Sequence, residues 1–440
     1  MFKLIRNGIG FWGPDRTVGP MHLLVDGDTI AAVSRNEIPA PEGARVYDLN
    51  GRLLLPGFVD AHTHLAQSYG RGIYDNRHLT QWLWTMIRYL HLDEDETYTA
   101  AQLACIEALK SGTTTVAEMT SLGVNVDASV QAIADCGLRG VVSSCLGDYQ
   151  EGDNPAPPLD AEGVLEEMTR LHRQWHNSHE GRITVRLSPV GLPACSEELM
   201  RGTRALADEL DVGIHTHCCE GEIETQNAYE RFGCSEVEAL GQFGVLGPDV
   251  QLVHCVWLTD RDRQLIAESG SHVVHCPSTN LKITDGLPQM VPLQRLGVNI
   301  ALGCDGQSSS GSYDLFKEAR LASLLGKGLS ADAAAFPAET ALEMITRNGA
   351  RAIGLGETVG ELTVGHKADI TVINYPQVHL IDEQRLLSNL IYAGSGGDVD
   401  SVLVNGEVLM WHRELLHLDE QAILAKALKQ MRRAARILPN

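Results

Sequence analysis

Short segments in which apolar and polar positions alternate occur at both ends of the chain. Near the N-terminus they are residues 22–25 and 29–33, separated by Asp26-Gly27-Asp28, a sequence typical of a hairpin turn. Near the C-terminus they are residues 368–373 and 401–409, and the second contains Asn405-Gly406, a strong type I′ turn signal. We therefore predict one small β-sandwich domain, built from residues 1–55 together with residues 365–415.

The central residues, 56–364, show a different pattern. Eight short apolar runs, ending near positions 61, 117, 143, 187, 215, 253, 274 and 302, are each followed by a helix-like segment. Eight successive strand–helix units predict an α/β fold of the (β/α)8 TIM-barrel type. A doubly wound open sheet is the alternative, but it normally carries a glycine-rich phosphate loop after an early strand, and we find none in the sequence.

The last predicted element is a C-terminal helix within residues 416–440, amphipathic over residues 419–438. Its basic residues lie late in the segment, where the helix dipole favours positive charge. The predicted organisation is therefore a central barrel, a β-sandwich built from both chain ends, and a terminal helix.

Composition restricts the partners of the chain. It has 57 acidic and 35 basic residues and a net charge of −22 at pH 7. Because nucleic-acid binding requires clustered Lys and Arg, we expect no nucleic-acid partner. No segment approaches the roughly 18 apolar residues of a membrane span, and no secretory signal is visible, so we expect no membrane association and a cytoplasmic location. The 10 cysteines form no CxxC pair and are expected to be reduced.

Histidine and acidic residues follow five of the eight predicted strands. In chain order they are His62, His64, His215, His217, Glu220, His254, His275 and Asp305. Active-site residues of TIM barrels lie at the C-terminal ends of the strands. A single histidine at a strand end is more often structural, but five such strand ends in one barrel favour a functional site.

The type and spacing of these residues indicate a metal site. His62 and His64, two positions apart on a strand, point to the same face. With a third histidine and an aspartate they offer nitrogen and oxygen ligands that suit Zn²⁺ or Fe²⁺ and leave one position for water. Such an ion lowers the pKa of bound water to roughly 7. Glu220 is placed as a general acid or base beside the metal, and we interpret Cys218 and Cys219 as packing residues.

These segments resemble the amidohydrolase superfamily. The similarity rests on residues 56–64, 111–115, 217–220, 254–256, 275–282 and 302–306, and on residues 365–370, which are typical of the strand that re-enters the β-sandwich. More narrowly, the motifs resemble the aminohydrolase branch, which contains S-adenosylhomocysteine/methylthioadenosine deaminases, guanine-type deaminases and s-triazine hydrolases. The resemblance runs nearly end to end and implies an enzyme that hydrolyses C–N bonds other than peptide bonds in cyclic amidines.

The resemblance also implies a role for each site residue. It implies that His62, His64, His217 and Asp305 hold one divalent metal per chain, with zinc as the first choice and iron as the alternative. Glu220 is implied to move protons between metal-bound water and a ring nitrogen of the substrate. His254 is implied to orient the hydroxide and polarise the reacting carbon, and Asp305 to take the proton of the water.

A second metal is not expected in this hydrolytic site. Binuclear members of the superfamily bridge two metals with a carbamylated lysine from the end of the fourth strand. The only lysine between His64 and His217 is Lys110, which precedes the second predicted strand. The sequence therefore predicts a mononuclear site.

The substrate is expected to be a small N-heteroaromatic ring that loses an amino group as ammonia after attack by metal-bound hydroxide. We predict that Gln67, Trp82, Trp84, His275 and Ser308 contact it. Nucleoside-acting relatives usually carry a histidine near residue 191, where this chain has Gly191-Leu192-Pro193, and the loop at residues 306–312 also differs from relatives. Both departures favour a pyrimidine, purine, pterin or s-triazine ring.

Other functions stay open at this point. They are an S-adenosylhomocysteine, methylthioadenosine or adenosine-type nucleoside deaminase, a cyclic amide hydrolase, a hydrolytic triazine dechlorinase, and a non-catalytic metal-binding protein. The leaving group can accordingly be ammonia, an alkylamine or chloride. A homodimer or higher homo-oligomer is expected only because dimers are the commonest assembly.

Overall fold

The computed structural model describes residues 1–121, 123–150 and 159–434, without the side chains of residues 433 and 434. The strands are β1 (Phe2–Trp12), β2 (Thr17–Asp26), β3 (Thr29–Ser34), β4 (Arg45–Asp48), β5 (Leu53–Pro56), β6 (Phe58–His64), β7 (Thr113–Thr120), β8 (Arg139–Ser144), β9 (Ile183–Val185), β10 (Ile214–Cys218), β11 (Val250–His254), β12 (His272–His275), β13 (Ile300–Leu302), β14 (Asp305–Gly306), β15 (Ile370–Ile373), β16 (Val399–Val404), β17 (Glu407–Trp411) and β18 (Glu414–Leu415).

The helices lie mainly between the central strands. They are α1 (Leu79–Tyr89), α2 (Glu94–Lys110), α3 (Val126–Asp135), α4 (Ala161–Trp175), α5 (Ser178–Gly181), α6 (Glu197–Leu210), α7 (Glu222–Phe232), α8 (Glu236–Gln242), α9 (Asp260–Ser269), α10 (Pro277–Lys282), α11 (Met290–Arg295), α12 (Leu315–Ser330), α13 (Ala338–Met344), α14 (Arg347–Ala352), α15 (Leu386–Ala393) and α16 (Glu420–Ala434). None of the described helices is long and apolar enough to cross a membrane.

Strands from both chain ends form one nine-stranded sheet. Its order is β18-β17-β16-β15-β5-β1-β2-β3, and β4 pairs with β1 outside this path. A buried apolar cluster that includes Leu23, Ile30, Leu54 and Ile370 joins the two chain ends. The sandwich arrangement and the boundaries at residues 1–55 and 365–415 stay predictions.

The central strands are parallel and lie in two sheets. One has the order β14-β6-β7-β8-β9 and the other the order β10-β11-β12-β13. A further parallel bridge joins Leu187, just after β9, to Ile214 at the start of β10. At the other edge, one chain segment supplies both β13, which pairs with β12, and β14, which pairs with β6. The strand–helix alternation of the central region is therefore present as predicted.

A glycine turn separates the two kinds of sheet. Leu53–Pro56 (β5) pairs with β15 in the nine-stranded sheet, and Phe58–His64 (β6) enters the parallel sheet. Between them the Gly57 amide donates to the Asp369 carbonyl at 2.9 Å. A Cβ at position 57 would lie 2.1 Å from Thr114 Oγ1, so only glycine fits this close approach without displacing β7.

The terminal helix packs against α2. Asp419 caps it by accepting a hydrogen bond from the Ala422 amide at 2.9 Å. Lys110 on α2 contacts both oxygens of Glu420, at 2.8 and 2.9 Å. The described helix covers Glu420–Ala434, and the predicted continuation over residues 435–440 lies outside the described residues.

A buried ion pair joins a central parallel sheet to the nine-stranded sheet. Arg139 on β8 donates from Nε and Nη2 to the two carboxylate oxygens of Asp369, at 2.8 and 3.1 Å. Arg139 also donates to Asn405 Oδ1 at 3.0 Å, and the Asn405 amide donates back to Asp369 at 2.7 Å. The side chains of Arg139 and Asp369 are only 3% and 1% exposed. Because water cannot solvate their charges, each charge is compensated by the other.

We expect Asp369→Ala to lower the free energy of unfolding by about 3–5 kcal/mol, because it leaves the Arg139 charge buried without its carboxylate. Urea titration followed by circular dichroism measures this change. The matched control is Glu197→Ala, which removes an exposed ion pair with Arg201 and should change stability by no more than about 0.5 kcal/mol. Equal losses in the two variants would contradict the assigned role of the buried pair.

Candidate metal and active site

The parallel register brings the predicted site residues to one end of the central strands. Cys218 at the end of β10 is level with His254 at the end of β11. His275 at the end of β12 is level with Leu302, and Asp305 on β14 is level with Thr63 between the two histidines of β6. The candidate side chains therefore converge from five strand ends.

Three histidines and one aspartate form the centre of this cluster. Ring nitrogens of His62, His64 and His217 lie within 4.8 Å of one another, and His62, His254 and Asp305 form an overlapping group. Asp305 Oδ1 lies 3.4 Å from His62 Nε2 and 3.3 Å from His64 Nε2. The four predicted ligands are thus brought together, and they offer the nitrogen and oxygen donors that zinc accepts.

Hydrogen bonds on the outer side orient the imidazoles. His64 Nδ1 donates to the Met119 carbonyl, and His217 Nδ1 donates to the Val190 carbonyl at 2.6 Å. Metal-binding histidines typically hold their second nitrogen in this way, which leaves the lone pair of Nε2 for the ion. His62 Nδ1 lies 2.8 Å from His215 Nε2, so His215 supports His62 from behind.

The buried Nε2 of His62 has no hydrogen-bond partner among the described residues. A buried polar atom without a partner is costly, and a metal ion would satisfy this one. Burial also lowers the pKa of His62 to about 4 and places that of His217 well below its usual value. Both rings are therefore neutral near pH 7, which is the form that binds a metal.

Glu220 lies beside this cluster, two residues past the end of β10. Its Oε1 is 3.3 Å from His254 Nε2. Burial raises the pKa of Glu220 well above its usual value, and the nearby carboxyl groups of Asp285 and Glu224 raise it further. Glu220 is therefore able to keep a proton near neutral pH and to donate it within the site.

Asn280 and Asp285 were not assigned a role by the sequence reasoning. Asn280 Nδ2 donates to His254 Nδ1 at 3.0 Å and to Asp285 Oδ2 at 2.9 Å. Because His254 accepts at Nδ1, its proton lies on Nε2, the nitrogen nearest Glu220. Asn280 falls inside residues 275–282, one of the segments that carry the family resemblance, and this position could have identified it as a candidate site residue. Asp285 stands in a loop without any periodic pattern.

A cavity of about 350 Å³ opens onto this cluster. His64, His217, Glu220, His254 and Asp305 line its floor, and Leu79, Leu83, Met86 and Ile87 line an apolar wall. Of the predicted substrate-binding residues, Gln67, Trp82 and Trp84 also line it. The cavity therefore combines apolar side chains of α1 with the polar residues of the cluster.

His275 and Ser308 are not among the residues that line this cavity. Ser308 donates to Gln67 Oε1 at 2.6 Å and so holds the amide of Gln67 in place. His275 is buried behind the floor, where burial lowers its pKa to about 3. Their predicted contacts with substrate stay predictions.

The amidohydrolase family model matches residues 53–409. This chain belongs to the amidohydrolase family. It is 35% identical over 429 residues to 5-methylthioadenosine/S-adenosylhomocysteine deaminase of Moorella thermoacetica, covering 95% of this chain and 98% of that protein. It is 37% identical over 407 residues to 5′-deoxyadenosine deaminase of Methanothermobacter thermautotrophicus, covering 92% of each.

Solved structures support the same assignment. An adenosine deaminase from Xanthomonas campestris with bound zinc superposes with a TM-score of 0.89 and 29% identity, covering 99% of this chain and 98% of that one. The family implies a TIM-barrel-type α/β fold with an additional domain. The predicted resemblance is confirmed, as is the prediction of a hydrolase that acts on C–N bonds.

We expect His217→Ala to lose divalent metal, because it removes one of the three imidazoles whose ring nitrogens lie within 4.8 Å of one another. The matched control is His275→Ala, which alters a buried histidine at a neighbouring strand end outside the group of candidate ligands. Elemental analysis of the purified proteins measures the metal per chain. Retention of a full equivalent by His217→Ala would show that this histidine is not a ligand.

Proposed function

We propose that this protein is a metal-dependent aminohydrolase that removes an exocyclic amino group from an N-heteroaromatic ring and releases ammonia. The observation that carries the proposal is the pairing of Glu220 with His254, at 3.3 Å, beside the cluster of histidines and Asp305. A proton donor, a polarising imidazole and a set of metal ligands thus face one cavity. This combination suits addition of water to an electron-poor ring carbon.

In this proposal His62, His64, His217 and Asp305 hold a single ion, with zinc as the first choice. A divalent ion held there supplies a nucleophile by lowering the pKa of a coordinated water to about 7. Zinc in the related adenosine deaminase supports this choice. Lys110 is the only lysine between His64 and His217, and its ammonium pairs with Glu420 on α16. Because this lysine is therefore not placed to bridge two metals, the pairing supports a mononuclear site.

The chain's own residues then move the protons. Glu220 delivers a proton to the ring nitrogen next to the reacting carbon, which makes that carbon more electrophilic. His254, with its proton on Nε2, donates a hydrogen bond to the oxygen that is added. Asp305 accepts a proton from the attacking water and passes it to the departing amino group, and the remaining proton on the added oxygen returns to Glu220 as the C=O bond forms and ammonia leaves. Each proton step typically contributes about 10²–10⁴ to the rate.

Adenine nucleosides without a 5′-hydroxyl group are the first substrates to test. The relatives named as methylthioadenosine/S-adenosylhomocysteine deaminase and 5′-deoxyadenosine deaminase support this class. The cavity has polar side chains beyond the metal cluster, since Glu224 and Asn227 on α7 line it and are suited to bind sugar hydroxyls. The buried Trp82 Nε1 has no partner among the described residues and is suited to donate to a heterocycle.

Compact rings are the second candidate class. Gly191 lines the cavity at the position where nucleoside-acting relatives are expected to carry a histidine, so one expected sugar contact is absent there. Pyrimidine, free purine, pterin and s-triazine amines therefore belong in the same test. Cyclic amide hydrolysis and triazine dechlorination would be recognised by a product other than ammonia.

The deciding experiment is a substrate panel with ammonia and ultraviolet detection. It should contain 5′-deoxyadenosine, methylthioadenosine, S-adenosylhomocysteine, adenine, guanine, cytosine, a pterin and an amino-triazine. We expect ammonia release, fastest from a 5′-deoxyadenosine-type nucleoside. A faster reaction with a free base would favour the compact-ring class, and no ammonia from any member would refute the proposed deamination.

Three structural expectations belong with this proposal. We propose that the eight central strands close into a (β/α)8 barrel over residues 56–364. The β-sandwich boundaries at residues 1–55 and 365–415 and the homo-oligomeric assembly stay predictions.

We expect Glu220→Gln to keep its metal and lose about 10²–10⁴ in kcat, because the amide can donate a hydrogen bond but is too weak an acid to transfer a proton. Glu222→Gln is the control, since it makes the same change in an exposed carboxylate two positions along the chain that does not line the cavity. Steady-state kinetics and elemental analysis measure both properties. A near-normal kcat in Glu220→Gln would show that Glu220 is not the proton donor.

We expect Asp285→Asn to move the basic limb of the kcat–pH profile to lower pH. The Asp285 carboxyl raises the pKa of Glu220, so its neutralisation lets Glu220 lose its proton at a lower pH. Because the donor is the protonated form, activity then falls earlier as pH rises. An unchanged limb would indicate that another group controls it.

A further inference from the structure

Two neighbouring cysteines meet beside the catalytic cavity. Adjacent side chains of a strand normally point to opposite faces. Cys219 follows β10 with a φ of 50°, in the left-handed region, which breaks this alternation. As a result Cys218 Sγ and Cys219 Sγ lie 3.7 Å apart, although the sequence favoured a simple packing role for both.

A buried carboxylate lies against this pair. Glu236 on α8 is 2% exposed, and its Oε2 accepts a hydrogen bond from the Cys219 amide at 3.2 Å. One ligand atom from each of Cys218, Cys219 and Glu236 lies within 4.8 Å of the other two. The bond to the backbone amide fixes the carboxylate over the two sulfurs.

A third thiol is close to the pair. The Cys255 amide donates to the Cys218 carbonyl at 3.0 Å, which joins the ends of β10 and β11. This backbone bond holds Cys255 next to Cys218, and the Cys255 thiol donates to the Leu252 carbonyl at 3.8 Å.

The spacing of the sulfurs matches that of a tetrahedral metal site. Zinc–sulfur bonds of about 2.3 Å at the tetrahedral angle place two sulfurs about 3.8 Å apart. Sulfur donors select soft and borderline ions such as Cd²⁺ and Zn²⁺ over Mg²⁺ or Ca²⁺. Cys218, Cys219 and Glu236 all line the 350 Å³ cavity, so an ion can reach them from there.

We propose that Cys218, Cys219 and Glu236 form a second metal site, distinct from the histidine cluster, that binds a thiophilic divalent ion. On binding, the two thiols release their protons to the solvent, and the ion takes both sulfurs and one carboxylate oxygen. The fourth position faces the cavity or Cys255. The ion ties the end of β10 to α8 and does not require the proposed deamination to be correct.

Cadmium is the probe, because cadmium–thiolate bonds give a charge-transfer band in the ultraviolet. The full chain is first loaded with zinc under reducing conditions and then titrated with Cd²⁺. We expect one cadmium per chain to bind with this band while one zinc is retained in elemental analysis. A titration without the band, or cadmium uptake matched by zinc loss, would overturn the proposal.

Substitutions then locate the ion. The double variant Cys218→Ser with Cys219→Ser is expected to lose the band, and Glu236→Gln to weaken cadmium binding by roughly tenfold or more. Cys145→Ser is the matched control, because Cys145 lines the same cavity outside the cluster, and it should keep the band. A band that persists in the double variant would place the ion elsewhere and refute the site.

Two further measurements separate the possible failures. Glu236→Gln retains all the thiols, so it tests the site even if the double serine variant does not fold. His64→Ala should keep the cadmium band while losing zinc, because it alters only the histidine cluster. Loss of the band in His64→Ala would show that cadmium binding by the thiols depends on the histidine cluster, which would refute a distinct second site.

Discussion

The parallel pairing of β14 with β6 is the constraint on which the candidate site depends. It sets Asp305 level with Thr63, so that one carboxylate oxygen lies within 3.4 Å of the Nε2 atoms of both His62 and His64. Because side chains alternate along a strand, a shift by one residue would turn both histidines away from this face. His217 and His254 reach the same cluster through the separate pairing of β10 with β11.

A buried cluster of this kind is stable only when its polar atoms have partners. Outer carbonyls orient His64 and His217, and His215 supports His62. Burial keeps His62 and His217 neutral, and the bond from His217 Nδ1 to the Val190 carbonyl leaves the Nε2 lone pair of that ring available. The surrounding protein thus holds a set of nitrogen and oxygen donors in place to bind a cation. This is the physical reason that the residues fit a resident metal ion.

The residues proposed to transfer protons are held by a separate set of contacts. Asn280 holds His254 in the tautomer with its proton on Nε2. The Asp285 carboxyl accepts a hydrogen bond from Asn280 and also raises the pKa of Glu220. The Asp285 carboxyl therefore influences both His254, through Asn280, and Glu220. Side chains of α1 form the apolar lining of the cavity. In the proposed mechanism, chemistry and substrate choice therefore depend on different segments, and one fold can support different substrates.

The sequence by itself determined the family, the alternation of strands and helices in the centre, and the residues that converge at the strand ends. It could do so because period-two and helical patterns reflect local geometry, and because a metal needs particular donor types at particular spacings. Tertiary structure alone decided the support of His254 by Asn280, the proximity of Asp285 to Glu220 and the meeting of Cys218 with Cys219. These contacts depend on loop paths and on a left-handed backbone at single residues, and no periodic pattern encodes them.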